Sequence, residues 1–504
     1  MKTKRYFYSC LLLGIAIVSC SKDSDSEDET IVTADSVTIS AATAKGTAEG
    51  SSETGANADD ILANSTFTST VKITFNGTTA TVENGVTGVT VTTSGADVTV
   101  TSTAAEIAYE ITGSTTDGML KIYSDKKYKL TLNGVSIRNS DGPAINIQSG
   151  KRAFIVLNGT NTLEDGVTYT TSTEDQKGTF FSEGQLIFSG TGILNITGNN
   201  KHAIAADDYV RVQSGTITIT KAASDGIHTN DGVYIDGGTL NINASSDGIE
   251  AEEGPIVINA GTITITAADD GITASYDTDT TIDPYVVING GTISITTTGT
   301  GGEGIESKST LTINGGTINI KAVDDGINAG KAIYINDGTI TSYSTTNDGI
   351  DSNGTLTVTG GKIFAIGAKS PEEGFDCDNN TFKITGGLLV GAGGATSSPT
   401  ASVSTQASAI LGSGNAGIIY SVLDPDNSEV MTFKSPASFT TLLLSGSKFS
   451  SGKTYKLVTV SSVANASEFN GLYLGGTFSD PVLSSSFTLT SMVTKIGGST
   501  GGGR

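Results

Sequence analysis

The triplet Asp-Gly-Ile recurs at Asp225, Asp247, Asp270, Asp325 and Asp348, with Glu-Gly-Ile at Glu303 and Glu-Gly-Phe at Glu373. Most intervals are about 22–23 residues, within the range of solenoid repeats. A second landmark keeps step: Gly-Thr-Ile or Gly-Thr-Leu at Gly215, Gly238, Gly261, Gly291, Gly316 and Gly338. Between the two lie an alternating trio, such as Val233-Tyr234-Ile235, and a Gly-Gly turn. Period-two runs bounded by Gly and Asn read as short strands, and helical spacing is absent. Three strands and three turns in one period make one coil of a right-handed parallel β-helix. Each coil pairs its backbone with the coils above and below, about 4.8 Å away. The expected inward positions are Ile227, Val233, Ile235, Leu240 and Ile242. A leucine-rich solenoid needs more Leu, and a propeller blade needs four strands in about 40 residues.

Composition agrees with this fold class. The chain has 64 Gly, 8 Pro and no Trp, which suits short strands joined by tight turns. Ile, Val, Leu and Ala fill a narrow coil interior without large aromatic side chains.

The chain organises around the array. Lys2, Lys4 and Arg5 precede an apolar run that ends at Ser19-Cys20, so residues 1–19 read as an export signal. Ile17-Val18-Ser19-Cys20 resembles a bacterial lipobox, with Ile where Leu is usual. That resemblance implies a lipid anchor on Cys20 and an outer-membrane lipoprotein. The acidic run Ser21 to Glu29 resembles the surface-export signal of Bacteroidetes lipoproteins. Residues 20–60 lack apolar periodicity and are expected to form an acidic flexible tether. The β-helix is expected over 61–395, a β-rich region over 396–496 and a disordered tail over 497–504. Insertions at Thr170 to Gly178, Ser275 to Pro284 and Thr296 to Gly302 are expected to be surface loops on a binding face.

Acids outnumber bases 52 to 29, for a formal charge of −23. Nucleic acid is excluded as a partner, because phosphate binding needs clustered Lys and Arg. The repeat places its acids in one column, with His202 one coil earlier in the same place. Two unit charges about 4.8 Å apart repel by roughly 3–4 kcal/mol at an effective dielectric near 20. Either hydrogen bonds from backbone N–H groups two residues on or bound cations must offset that repulsion. Further acids cluster close by, and six or more oxygens within a few Å suit calcium. The candidate calcium ligands are Asp225, Asp247, Glu250, Glu252, Asp269, Asp270, Glu303, Glu306, Asp324, Asp325, Asp348 and Asp351. Asp231, Glu253, Asp376 and Asp378 are further acids near the column.

The other candidates are weaker in chemistry. The two histidines, His202 and His228, are 26 residues apart. They can meet across one rung, but they match no transition-metal motif and read as surface residues. Cys377 has no histidine near it in sequence and reads as a buried side chain. On the outward face of the middle strand, Arg211, Tyr234 and Tyr334 are candidate sugar contacts.

Residues 65 to 395 resemble a family of carbohydrate-binding β-helix lipoproteins of bacteria, formerly a domain of unknown function. The resemblance rests on Leu132-Asn133-Gly134-Val135 with Gly142-Pro143-Ala144-Ile145, and on Asn161-Thr162-Leu163-Glu164-Asp165-Gly166. Gly190-Thr191-Gly192-Ile193-Leu194 and the Asp-Gly-Ile array complete it. It implies a fold shared with pectate lyases, Ca2+ as cofactor, and an acidic or plant-type polysaccharide as partner, without catalysis. Two alternatives stand beside that reading. One is a calcium-dependent pectate-type lyase, which needs a basic side chain to take the C5 proton; Lys201 and Lys308, and then Lys331, are the candidates. The other is an adhesin or surface stalk.

Overall fold

The computed structural model describes residues 36–276 and 279–501. The export signal, Cys20 and the acidic run after it lie outside the described residues. The chain forms a parallel β-helix whose coils stack as the repeat requires. One face is a thirteen-stranded sheet running from Val89–Ser94 to Phe375–Asp376. Its strands are parallel apart from the first hairpin. Registers are regular: Ile227 pairs with Ile249, Ile249 with Ile272, Ile272 with Ile305, and Ile305 with Ile327. The middle and third strands of each coil, such as Gly232–Ile235 and Thr239–Ala244, stack in the same way. The five expected inward side chains are all buried.

The Asp-Gly-Ile triplet needs its glycine for steric reasons. A Cβ on Gly226, Gly248 or Gly271 would lie 2.5 Å from the carbonyl oxygen of the next coil's glycine. Any side chain there would force the coils apart, so the triplet repeats wherever the coils stack closely.

Three boundaries differ from the sequence reading. Residues 36–60, expected as a flexible tether, are ordered in two parts. Val37–Ile39 adds antiparallel to Leu472–Phe478 in a seven-stranded C-terminal sheet, and residues 46–60 run along the outside of the β-helix as a strap. The expected break near residue 395 is bridged by β-pairing. Leu388–Gly393, at the end of the coil array, pairs antiparallel with Thr441–Ser445, which also pairs with Ser408–Leu411. The tail, expected to be disordered from 497, pairs through Thr500 with Thr396, and the Ser499 carbonyl accepts from the Thr396 N–H. In each case pairing partners far away in sequence supply the order.

The strap is held by an asparagine ladder. The Asn289, Asn314 and Asn336 side chains each donate to the Oδ1 of the preceding ladder asparagine at 2.8–2.9 Å. Their second N–H bonds, and that of Asn259, go to strap carbonyls at Glu49, Ser51, Glu53 and Thr54. A strap with little apolar surface is thereby fixed through backbone hydrogen bonds, which composition does not reveal.

Candidate functional site

The strand after each Asp-Gly turn starts with the repeated Ile pointing inward and the residue after it on the opposite face, while the column acid sits in the turn two residues before that Ile. The column reads His202, Asp225, Asp247, Asp270, Glu303, Asp325, Asp348, Glu373. Beside it runs a second column of His228, Glu250, Thr273, Glu306, Asn328, Asp351 and Asp376. Asp225, Asp325, Asp348 and Glu373 are only 3–7 % exposed, which makes their charge costly.

One carboxylate oxygen of each Asp is used by the fold. The Asp247 N–H donates to Asp225 Oδ1, Asp270 to Asp247, Glu303 to Asp270, and Asp348 to Asp325, at 2.8–3.1 Å. Glu373 donates in the same way to Asp348. The donor belongs to the next coil, whereas the sequence suggested an N–H two residues along the same turn. Stacking brings that N–H closer than the local turn does.

The ladder leaves the outer oxygens to find other partners. Burial, then neighbouring carboxylates, push Asp247 up to about 8 and Asp325 to about 9. Burial likewise lifts Asp270 to about 7, Asp348 to about 8, Asp351 to about 7 and Glu373 to about 9, and raises Glu303. Glu303 Oε2 and Glu373 Oε2 are buried with no hydrogen-bond partner among the described residues. Three all-carboxylate groups bring one ligand atom of each member within 4.8 Å: Asp225 with Asp247 and Glu250; Asp247 with Asp269 and Asp270; Asp270 with Glu303 and Glu306. This is an oxygen-only donor set with orphaned acceptors, and it fits a hard cation such as calcium.

The far end of the column opens into a cavity of about 370 Å³ lined by Asp348, Asp351, Glu372, Glu373, Asp376 and Asp378. Glu372 carries no repeat signal in the sequence beyond the Pro-Glu-Glu that ends at the last column acid. Asp324 accepts from Asn347 at 2.7 Å and belongs to the turn beside the column. Glu252 lies 3.4 Å from His228 Nε2.

The candidate sugar contacts are elsewhere. Arg211, Tyr234 and Tyr334 lie under the strap. Arg211 is 3 % exposed, donates to the Gly55 carbonyl at 2.5 and 2.8 Å, and pairs with buried Asp60 at 3.2 Å. Gly55 has φ +61 and lies so close to the Tyr234 ring that a Cβ would overlap it; Gly50 stands in the same relation to Tyr334. The outward middle strand is therefore a bed for residues 46–60, and its aromatic rings are no open platform for sugar.

The candidate bases are paired or set apart. Lys308 binds Glu306. Burial lowers its affinity for a proton, but Glu306, Glu303 and Asp270 outweigh that and raise it, which disfavours a role as base. Lys331 lies 3.3 Å from Asp283 in the Ser275–Pro284 insertion. Lys201 is exposed beside His202. Cys377 is buried, as expected, with its thiol pushed up to about 12 by burial.

His202 and His228, expected on the surface, are each 9 % exposed and stack with ring centroids 4.1 Å apart. Both Nδ1 atoms face Asp225 Oδ2, at 2.8 and 3.2 Å. Burial opposes the Asp225 charge, but the two imidazoles hold its carboxyl below the usual range. Asp225 and Glu250 overcome burial at His228 and raise it to about 9, whereas burial lowers His202.

A parallel β-helix with a buried acidic edge is the class that this fold and site define. The chain belongs to the family of carbohydrate-binding domain-containing proteins, which matches residues 94–346 and 298–421, together more than half of its length. Among solved structures it is similar to a polysaccharide lyase-like protein from C. thermocellum, determined as a gadolinium derivative. The two are 28% identical, over 48% of this chain and 96% of that one, with a TM-score of 0.43. No curated protein matches the chain at a significant level.

Proposed function

We propose that this protein binds polysaccharide of the acidic or plant type with the help of calcium, without catalysis, at the cell surface behind a lipid anchor on Cys20. The observation that carries the reading is the double column of acids, in which one oxygen of each Asp is fixed by the coil above and other oxygens remain in groups of three. Asp225, Asp247, Glu250, Asp269, Asp270, Glu303 and Glu306 would hold calcium along the edge, and the carboxylates of the 370 Å³ cavity would hold it at the far end. Calcium bound there supplies positive charge with spare coordination positions for a sugar carboxylate or hydroxyl. Without it, this surface repels a uronate polymer.

The protein's own groups orient the site. The backbone ladder fixes each column carboxylate in register with its neighbours. Glu306 is held by the Thr273 hydroxyl at 3.0 Å and by Lys308. Family membership supports a carbohydrate ligand, and the pairing of Lys308 and Lys331 supports binding over elimination.

The test is retention on polygalacturonate with calcium or with chelator, alongside ultraviolet detection of unsaturated product. Retention only with calcium, and no rise in absorbance, is the expected result. Equal retention in chelator would remove calcium from recognition. A steady rise that Lys201→Ala or Lys308→Ala abolishes would establish the lyase alternative.

A further inference from the structure

The first rung of the acidic edge differs from the rest in donor chemistry. From Asp247 onward the grouped side chains offer oxygen alone. At the N-terminal end, His202, Asp225 and His228 bring one ligand atom each within 4.8 Å of one another. Glu250 Oε2 is 2.8 Å from His228 Nδ1. Imidazole nitrogen is a preferred ligand of zinc-class ions, whereas calcium and magnesium take oxygen.

One further observation marks this place. His202 is nine-tenths buried, yet its Nδ1 makes no hydrogen bond among the described residues. Its one close contact among the described residues is the ion pair with Asp225 Oδ2 at 2.8 Å. The fold positions this buried ring nitrogen beside a second imidazole nitrogen and two carboxylates. The origin of this arrangement is also clear in the sequence. From His202 to Glu373 the column carries an acid at every coil but that of His202, and His228 stands in the adjoining column, where later coils carry Glu, Asp, Asn or Thr.

We infer that the N-terminal end of the column is a separate site for a zinc-class transition-metal ion, with His202, His228, Asp225 and Glu250 as ligands. With that ion bound, Asp225 and Glu250 are withdrawn from the calcium set proposed above, and the calcium edge begins at Asp247. In the stacked arrangement the two ring-nitrogen lone pairs lie side by side and do not converge. Capture of an ion therefore requires one imidazole to turn out of the stack.

Cobalt(II) is the probe, added to the full chain with excess calcium present. The expected result is a visible d–d absorption band that calcium does not displace. The band is lost in His202→Asn and in His228→Asn, each checked for native circular dichroism, and kept in Asp351→Asn at the far end. A second measurement needs no variant. The chain has only two histidines, so diethyl pyrocarbonate labelling read by mass spectrometry should fall at both when zinc is added. A band that survives both histidine variants, displacement of cobalt by calcium, or labelling that zinc leaves unchanged would overturn the inference. Retention on polygalacturonate with calcium is read on the same variants. Retention kept while cobalt is lost supports two sites, and loss of both in folded protein overturns their separation.

Discussion

The backbone N–H of Asp270 donates to Asp247 Oδ1 at 2.8 Å, across two coils of the solenoid. One hydrogen bond thus ties a carboxylate to the coil stack and aligns it with the next. Repeated along the edge, it holds like charges in a line where they would otherwise repel. The fold and the proposed cation site are consequently coupled in energy.

Chelation and pH should reveal that coupling. A carboxyl whose folded value is raised binds its proton more tightly when folded, so stability falls as pH climbs from the ordinary carboxylate range towards the raised value. For Asp270, Asp247 and Asp325 the window runs from about 4 to about 7, 8 and 9. In chelator, the melting temperature should fall steadily across that window. A flat profile would show that the column is not buried as described.

Calcium should flatten that profile and raise the melting temperature. A ligand of the folded state at 100 times its Kd adds about 2.7 kcal/mol for each independent site. Magnesium should substitute poorly, because it demands tighter geometry and keeps its water. Asp270→Ala or Asp325→Ala should weaken calcium-dependent retention on polygalacturonate, and calorimetric titration of each variant checks the number of ions lost.

The strap gives a contrasting set. Arg211→Ala removes a buried partner of Asp60, which also accepts from Arg152 and Tyr209 at 2.8 and 2.7 Å. Breaking a buried pair in this way costs about 3–5 kcal/mol. Hydrogen exchange over residues 46–60 should accelerate. Tyr234→Ala and Tyr334→Ala should loosen the same segment while leaving polysaccharide retention unchanged. Loss of retention in either variant would return the aromatic face to the binding site.

Anchoring is tested at Cys20. Cys20→Ala should abolish incorporation of labelled fatty acid. Deleting Lys22 to Glu29 should keep the label but reduce digestion by external protease. Equal labelling of Cys20→Ala and wild type would dismiss the lipobox reading.

The repeat itself determined the coil. Period-two strands, a glycine that must meet the next coil's carbonyl, and inward Ile at fixed intervals leave one architecture, because each is a local demand repeated at a constant distance. It determined the acidic column too, since equal spacing in sequence becomes vertical alignment in a solenoid. Tertiary structure decided what lies on the other faces. Gly50 and Gly55 come to Tyr334 and Tyr234 from some 180 to 280 residues away in sequence, and the strap's hydrogen bonds are made by backbone carbonyls that every residue owns. Composition therefore read that segment as a tether. The same holds for the histidine pair. Sequence could place His202 in the column and His228 one coil on, but burial and ring stacking depend on how tightly two coils close, which only the folded chain sets.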